Sequence, residues 1–424
     1  MRALDVGIIG CGTAGSAAAV FLARAGHRVT LYERVPSPGP VGAGITLQPT
    51  GLHVLCRLGL YDHVVSRGAR IDRLLCESRR RKPIVDLTYE TAGEGLFGVG
   101  LHRGVLFEAL FGSAQRDPRI AIRTGVEIVD LARAEALAGK APSRWSWLVD
   151  VERRRHGPHE LVVVADGARS QLRDDTSTSK RVAPYPWGAL WFVGREPRGP
   201  EDARSRTLRQ VVDGNQAFLG LLPTGLLPSS LESSLSPSPR LVSLFWSIRG
   251  DRVAAWREAG LEAWKASVRE LTDEAEPVLD QILDEEQLLY AGYHDVVMHR
   301  WHTRNVVYLG DAAHATSPQL GQGCNLALWD AMELYDCIDR EPRDLAAALA
   351  CYSRRRADHL AFYQTATRLL TPFFQGDAEL LGHLRDVAMP LMGKVSVFKR
   401  MMTLSMLGVM DGFFGRTLKL RLPA

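Results

Sequence analysis

The chain is 424 residues long and 46% hydrophobic, enough apolar material for an extensive core spread over two or three folding units. Its 52 Lys and Arg against 48 Asp and Glu leave a formal charge of +4, too small at this length to make nucleic acid the main partner. Six cysteines scattered without C-x-x-C spacing support neither a disulfide framework nor a zinc site, so a reducing, cytoplasmic setting without bound metal is expected.

The N-terminal stretch "LDVGIIGCGTAGSAAAVFLARAGHRVTLYER" is broken by glycines too early to be a secretory signal. It reads as an apolar strand, a G-x-G-x-x-G turn at Gly10, Gly12 and Gly15 with Thr13 and Ala14 inside it, an Ala-rich helix ending at Gly26, and a second strand closing on Glu33 and Arg34. The first glycine permits a tight turn, the second lets backbone approach a pyrophosphate, and the third lets the helix pack close to the strand. The helix N-terminus then offers N–H groups to the phosphates. Glu33, 23 residues after Gly10, is placed to accept hydrogen bonds from adenosine ribose hydroxyls, and its charge would repel a 2′-phosphate. A second G-x-G-x-x-G, "GEGLFG" at Gly93, Gly95 and Gly98, lacks the strand-turn-helix context and is read as a loop before a helix that begins near Arg103.

Two later segments repeat the pattern of a buried strand ending in Gly and Asp. "ELVVVADGARSQLRD" (160–174) carries four apolar residues into Asp166-Gly167, with Arg169, Ser170 and Arg173 expected to open a helical stretch. "NVVYLGDAAHATSPQLGQGCNLALWDA" (305–331) ends its strand at Gly310-Asp311, at the C-terminal edge of the same sheet, where ligands bind in open parallel folds. Three glycines follow within a few residues of a new helix.

The trio of G-x-G-x-x-G, "ADGARSQLR" and "LGDAAHATSPQLGQGCN" resembles the signature set of the single-component FAD-dependent aromatic hydroxylases, the group that includes para-hydroxybenzoate and salicylate hydroxylases. In order and spacing the resemblance covers residues 1–330. "GAGITLQPTGLHVLCRLGLYD" (42–62) resembles the salicylate-hydroxylase branch, and "LHRGVLFEAL" (101–110) the helix that carries a flavin-contacting arginine, here Arg103. The resemblance implies FAD as cofactor and NADH or NADPH as transient co-substrate. It places Asp311 on the ribityl or pyrophosphate-side hydroxyls and Pro318 on the wall of the reaction pocket. Gly321, Gly323, Cys324 and Asn325 would present backbone N–H groups to the pyrimidine edge of the isoalloxazine, with Val126 a further cofactor contact. The Asp166-Gly167 segment would support the pyrophosphate region and the passing nicotinamide nucleotide, and His314 reads as architectural.

Residues 181–290 contain "WGALWFVG", "QAFLGLLP" and "LVSLFWSIRG", short aromatic and apolar runs between turns that predict an antiparallel sheet. Trp191, Phe218, Phe245 and Trp246, with Pro318, are the candidates for a hydrophobic substrate pocket. "PTGLLPSSLESSLSPSPR" (223–240) reads as a flexible loop, and the chain beyond 331 as helical to its end. The expected class is α/β: a discontinuous Rossmann-like FAD-binding domain (1–75, 100–180 and 291–330), an inserted antiparallel-sheet substrate domain (76–99 and 181–290) and a helical region (331–424).

This reading implies an enzyme that uses NAD(P)H and O2 to hydroxylate or epoxidise an electron-rich, aromatic small molecule through a flavin C4a-hydroperoxide. The catalytic base is left open, with His53, His102 and His294 available. A flavin reductase or epoxidase acting on a lipid or isoprenoid, and a non-catalytic flavin-binding module, are the alternatives. Basic residues and Asp411 break "FKRMMTLSMLGVMDGFFGRTLKL" (398–420), leaving it too short to span a bilayer. A dimer-facing or core-packed helix is expected there, a helix lying on a membrane surface being the alternative, and the chain is expected to be a monomer or homodimer.

Overall fold

The strand Asp5–Ile9 runs through the middle of a six-stranded sheet in the computed structural model, which describes residues 2–40, 42–133, 145–173, 178–232 and 238–423. From one edge the order is His302–Thr303, Val306–Tyr308, Leu161–Val164, Asp5–Ile9, Arg28–Glu33 and Ile120–Thr124. Every pair is parallel except the first. Leu161–Val164 is an unbroken apolar run, fully buried, as a central parallel strand covered on both faces must be.

The helix Thr13–Arg24 is enclosed between this sheet and the helices Arg103–Arg116 and Gly323–Arg340, so that Ala17, Ala18 and Ala19, on different sides of it, all have no solvent exposure. Small side chains there let the helix lie close enough for a Cβ at Gly15 to fall 1.9 Å from the Gly10 carbonyl oxygen, so only glycine fits. An antiparallel meander (Ile128–Arg133, Ser146–Asp150, Arg155–His159) forms a separate three-stranded sheet.

A seven-stranded sheet follows the order Leu289–Met298, Ser179–Arg195, Leu241–Arg249, Ala217–Gly225, Thr207–Asp213, Arg73–Ser78 and Pro83–Thr88. It is antiparallel apart from the Thr207–Asp213 and Arg73–Ser78 pair. Its two faces differ. Leu190, Leu244 and Ile248 pack outward against the helices Val253–Ala259 and Leu261–Leu271. The opposite face carries Ser243, Phe245 and Ser247, with Ser243 beside Gly44 and Ser247 accepting from Gln375 Nε2 at 2.6 Å. A small sheet of Gly44–Leu47, Gly98–His102 and Ala69–Ile71 bridges the two, closely enough that a Cβ at Gly100 would fall 1.8 Å from the Pro223 carbonyl oxygen.

Three local expectations differ from what is observed. Residues 169–173 form a turn rather than a helix start, because Ser170 N–H closes on the Gly167 carbonyl and the Arg173 guanidinium takes the carbonyls of Ala168 and Ser170. Helical structure stops at Met406; Gly408, Gly412 and Gly415 all adopt positive φ, so residues 407–423 run as an irregular segment with one bridge between Met410 and Thr417. The expected loop at 223–240 begins inside the strand Ala217–Gly225, and residues 233–237 of it lie outside the described residues.

The last strand is pinned to the C-terminal helices by one buried carboxylate. Asp330, on the helix Gly323–Arg340, accepts from Gly310 N–H at 2.8 Å, from His314 Nε2 at 2.5 Å and from Arg356 Nε at 2.6 Å. Arg356 also contacts His359 Nδ1, and His359 Nε2 donates to the Gly408 carbonyl at 2.9 Å. Burial pushes the Asp330 carboxyl up, but the His314 imidazole and the Arg356 guanidinium outweigh it and hold the group down to about 2. Because the folded value lies below the unfolded one, this contribution to stability is complete above about pH 4 and is lost as pH falls toward 2. Thermal denaturation between pH 5 and 2 should show that loss. Asp330→Ala, which strands Arg356 in the core, should cost about 3–5 kcal/mol in urea unfolding at pH 7.

Candidate active site

The C-terminal ends of Asp5–Ile9, Leu161–Val164 and Val306–Tyr308 lie side by side, so their loops meet along one edge of the parallel sheet. The first loop is the glycine turn. Gly10 takes φ +96°, and a Cβ on it would meet the Ala165 carbonyl oxygen at 2.5 Å. Gly12 is different. It caps the helix Thr13–Arg24 without a side-chain partner, and a Cβ there meets nothing within 4 Å. Protein packing explains Gly10 and Gly15; at Gly12 the space lies outside the protein, in front of a helix N-terminus suited to an anion.

Glu33 closes the turn from the neighbouring strand. One carboxylate oxygen accepts from Cys11 N–H and the other from Val35 N–H, each at 3.0 Å. Val126 N–H donates to the Glu33 carbonyl at 2.9 Å, and Arg34 next to it is exposed. Asp166 lies against Gly10, and its Oδ1 is buried without a hydrogen-bond partner among the described residues. Burial raises the pKa of this carboxyl; Arg173 and Arg34 act the other way. The sequence alone assigns Arg173 to the opening of a helical stretch. Its Nε donates to the Ala312 carbonyl at 2.7 Å, tying the second loop to the third.

In the third loop Asp311, Pro318 and Gly323 are exposed, whereas Ala312, Ala313, His314 and Asn325 beneath them are buried. His314 is committed to Asp330 in the core and leaves the accessible surface to its neighbours. Gly321 (φ +62°) and Gly323 both face open space, with nothing within 4 Å of a Cβ. Gly323 opens the helix Gly323–Arg340, whose N-cap Gln322 makes no side-chain cap. The turn is held from behind: Asn325 Oδ1 accepts from Gln48 N–H at 2.8 Å, and its Nδ2 donates to the carbonyls of Thr46 (3.1 Å) and Gly321 (3.2 Å). Gln322 Nε2 donates to the Met406 carbonyl at 2.7 Å. Apart from the local one to Gly321, these contacts span 84 to 279 residues of chain, and no local pattern announces them.

Cys324 faces the Thr46 carbonyl at 3.6 Å. Burial pushes its thiol up to about 12, with Arg103 lowering and Asp311 raising it. The thiol is therefore neutral at physiological pH, which suits a wall residue better than a nucleophile. Arg103, 221 residues away in sequence, therefore lies near enough to the Asp311–Cys324 loop for its charge to act on it.

The aromatic candidates divide. Trp191 and Phe245 pair across strands with ring centroids 5.1 Å apart, and Phe218 packs edge-on against Phe245 at 5.4 Å. Trp246 does not join them. Successive strand residues point to opposite faces, and its ring meets Trp264 on the outer side at 6.5 Å. The face with Phe245 approaches the cleft through Ser243, whose Oγ would lie 2.5 Å from a Cβ at Gly44, beside the Thr46 held by Asn325.

Of the three histidines left open, His53 is bound by the Arg421 backbone and His102 Nδ1 accepts from Gly104 N–H. His294 lines an open cavity of about 560 Å³ with Arg169, Tyr185 and Tyr293. Tyr293, hydrogen-bonded to Trp191, is pushed up to about 12 by burial. No group of His, Cys, Asp or Glu among the described residues could hold a metal ion, and no described helix is long and apolar enough to cross a membrane.

A family profile described as FAD binding domain matches residues 3–361. The chain is 26% identical to the 3-amino-4-hydroxybenzoate 2-monooxygenase of Streptomyces cremeus over 402 residues, 89% of each chain. It is 26% identical to 3-hydroxybenzoate 6-hydroxylase 1 of Aquipseudomonas alcaligenes over 385 residues, 86% of this chain and 88% of that one. Among solved structures, an HpxO variant of Klebsiella pneumoniae complexed with FAD superposes with a TM-score of 0.76 at 20% identity, over 95% of this chain and 99% of the other.

The two kinds of glycine in the cleft are separable by mutation. Gly12→Ser, which keeps an N-cap residue and meets no protein within 4 Å of its Cβ, should leave the apoprotein's Tm near the wild-type value while weakening FAD binding at least about tenfold, or ~1.4 kcal/mol, in a fluorescence-quenching titration. Gly15→Ala should instead lower the Tm and the yield of folded protein.

Proposed function

The chain belongs to the FAD-binding-domain family, and on that premise we propose that the cleft around Gly12, Asp311 and residues 321–325 holds FAD for an aromatic ring hydroxylation. The enzyme is an FAD-dependent monooxygenase acting on aromatic small molecules. Bound FAD supplies the redox chemistry, passing electrons from a nicotinamide nucleotide to O2 and one oxygen atom to the substrate. The observation that carries the site assignment is the glycine set at Gly12, Gly321 and Gly323, where no described atom lies within 4 Å of a Cβ, in front of two helix N-termini.

The roles follow from that arrangement. The N-terminus of Thr13–Arg24 receives the pyrophosphate, and Glu33, already fixed by two backbone N–H groups, accepts from the adenosine ribose. Thr13 and Ala14 line the same turn, with Val126 and Arg34 bordering it. Asp166 carries a buried carboxylate oxygen without a partner among the described residues, suited to receive a hydroxyl or a water from the bound nucleotide. Asp311 and Arg103 flank the ring position with opposite charge. The helix Gly323–Arg340 stabilises negative charge near residues 321–325 by about 0.3–2 kcal/mol.

The substrate pocket is assigned to the space between Pro318 and the inner face of the seven-stranded sheet, with Trp191 and Phe245 as its aromatic wall. Phe218 backs that wall from the core, being only 4% exposed. An apolar wall excludes water from the reacting atoms and orients a flat ring. We assign no proton-transferring base; of His53, His102 and His294, His294 faces a cavity, beside Tyr293. The division into a FAD-binding part (1–75, 100–180, 291–330), a substrate part (76–99, 181–290) and a helical part (331–424) is the organisation this assignment uses.

A panel of hydroxy- and aminobenzoates, supplied with NADH or NADPH under ¹⁸O2, tests the reading. Expected are a yellow protein, NAD(P)H oxidation stimulated by one ring compound, and a single ¹⁸O atom in its product. Labelled product from an isoprenoid alone, or flavin that binds but is never reduced, would contradict it.

A further inference from the structure

The helix Glu379–Lys394 carries its large apolar residues on the wrong side for a core. Leu380, Leu384, Val387 and Leu391 recur at intervals of 4, 3 and 4, which stacks them along one face. That face is the exposed one, from 51% exposure at Leu384 to 76% at Leu380, whereas Gly382 and Arg385 on the opposite face are buried. Arg385 Nη1 donates to the Phe373 carbonyl and its guanidinium lies over the Phe374 ring, so the buried face is already satisfied. The next helix, Ser396–Met406, adds Val397, Phe398 and Met401, between 40% and 72% exposed. Both helices pack against the edge strand Pro83–Thr88, so both turn these residues away from the sheet. Scattered exposed apolar side chains need no explanation; a continuous run over two consecutive helices does.

Charge says what covers it. The end of the stripe near residue 379 is acidic, with Asp377 and Glu379. The other end is basic, with Lys394, Lys399 and Arg400. Glu379, Lys394 and Arg400 form no ion pair among the described residues; Asp377 is shared with Arg249. An anionic membrane surface would attract one end and repel the other. A second copy turned antiparallel satisfies both, because a two-fold axis near Val387 sets the acidic end of each helix beside the basic end of its mate. The span from 379 to 394 is ~22 Å at 1.5 Å per residue, centred on the stripe.

We infer that the face formed by Glu379–Lys394 and Ser396–Met406 is a homodimer interface, with the two Glu379–Lys394 helices antiparallel and Leu384 and Val387 at its centre. The interface lies directly behind the Phe374 and Phe218 packing that backs the aromatic wall, so dimerisation braces the substrate side of the enzyme. The inference is independent of which ring compound is hydroxylated.

Sedimentation velocity on the flavin-loaded full chain over a wide concentration range tests it. The wild type should sediment as a dimer, and Leu384→Glu with Val387→Glu should raise the dimer dissociation constant at least about tenfold with flavin content unchanged. Glu379→Lys and Lys394→Glu should each weaken the dimer several-fold, and the two combined in one chain should restore it, since each reversed charge then meets the other across the axis. A wild type that stays monomeric at every concentration, or a dimer indifferent to Leu384 and Val387, overturns the inference. So does a monomer that co-sediments with phosphatidylglycerol vesicles, or a combined charge variant weaker than either single one.

Discussion

A carboxylate with no solvent exposure organises the part of this protein on which function depends. Asp330 takes the Gly310 N–H, His314 and Arg356 together, and so joins the end of the last parallel strand to two C-terminal helices. A buried ion cluster of this kind is weak evidence for net stability, because desolvation offsets much of the attraction. Its value is geometric. The Gly310-Asp311 turn cannot shift without exposing an uncompensated charge, so Asp311 and Pro318 are held on a scaffold that resists relaxation. The same helix that buries Asp330 seven residues after its start leaves its own N-terminus open at Gly323. One element thus anchors the site from below and polarises it from above.

The glycines show how local physics separates folding from binding. At Gly15 the constraint is a neighbouring carbonyl at 1.9 Å from a Cβ, and at Gly10 a positive φ together with the Ala165 carbonyl. Those residues are needed for the chain to close on itself. At Gly12 and Gly323 no described atom lies within 4 Å of a Cβ, so packing alone does not demand glycine there, whereas Gly321, equally open, also takes a left-handed φ of +62°. Asn325 links the two regimes. It looks like part of a glycine-rich ligand loop, yet its side chain is spent on Gln48, Thr46 and Gly321, which fixes the loop's shape.

Much of this was legible in the sequence because the relevant signals are short-range. A strand, a glycine turn and an Ala-rich helix follow one another within some twenty residues, and Asp166-Gly167 and Gly310-Asp311 mark strand ends by turn chemistry alone. What was not legible depends on distant partners. Arg173 and the turn at 169–173 are shaped by carbonyls including one 139 residues away, so a helix start was expected where a side chain takes over the capping. Trp246 shared an aromatic cluster with Phe245 in sequence, but strand alternation sends adjacent side chains to opposite faces, and which face meets the cleft is set by the packing of other elements. The apolar end of the chain read as one long helix; Gly408 at φ +85° interrupts it, and a Cβ there would press on Thr50 and Gln322, so that turn exists to fit against the site.

The central claim is that FAD lies with the pyrimidine edge of its ring against the turn at residues 321–325. A crystal structure of the FAD complex measures this most directly. The expected result places the backbone N–H groups of that turn within hydrogen-bonding distance of the ring edge, with Glu33 on the ribose and no rearrangement of Asn325. A ring seated against another wall, or a turn that refolds to fill its own space, would contradict the account.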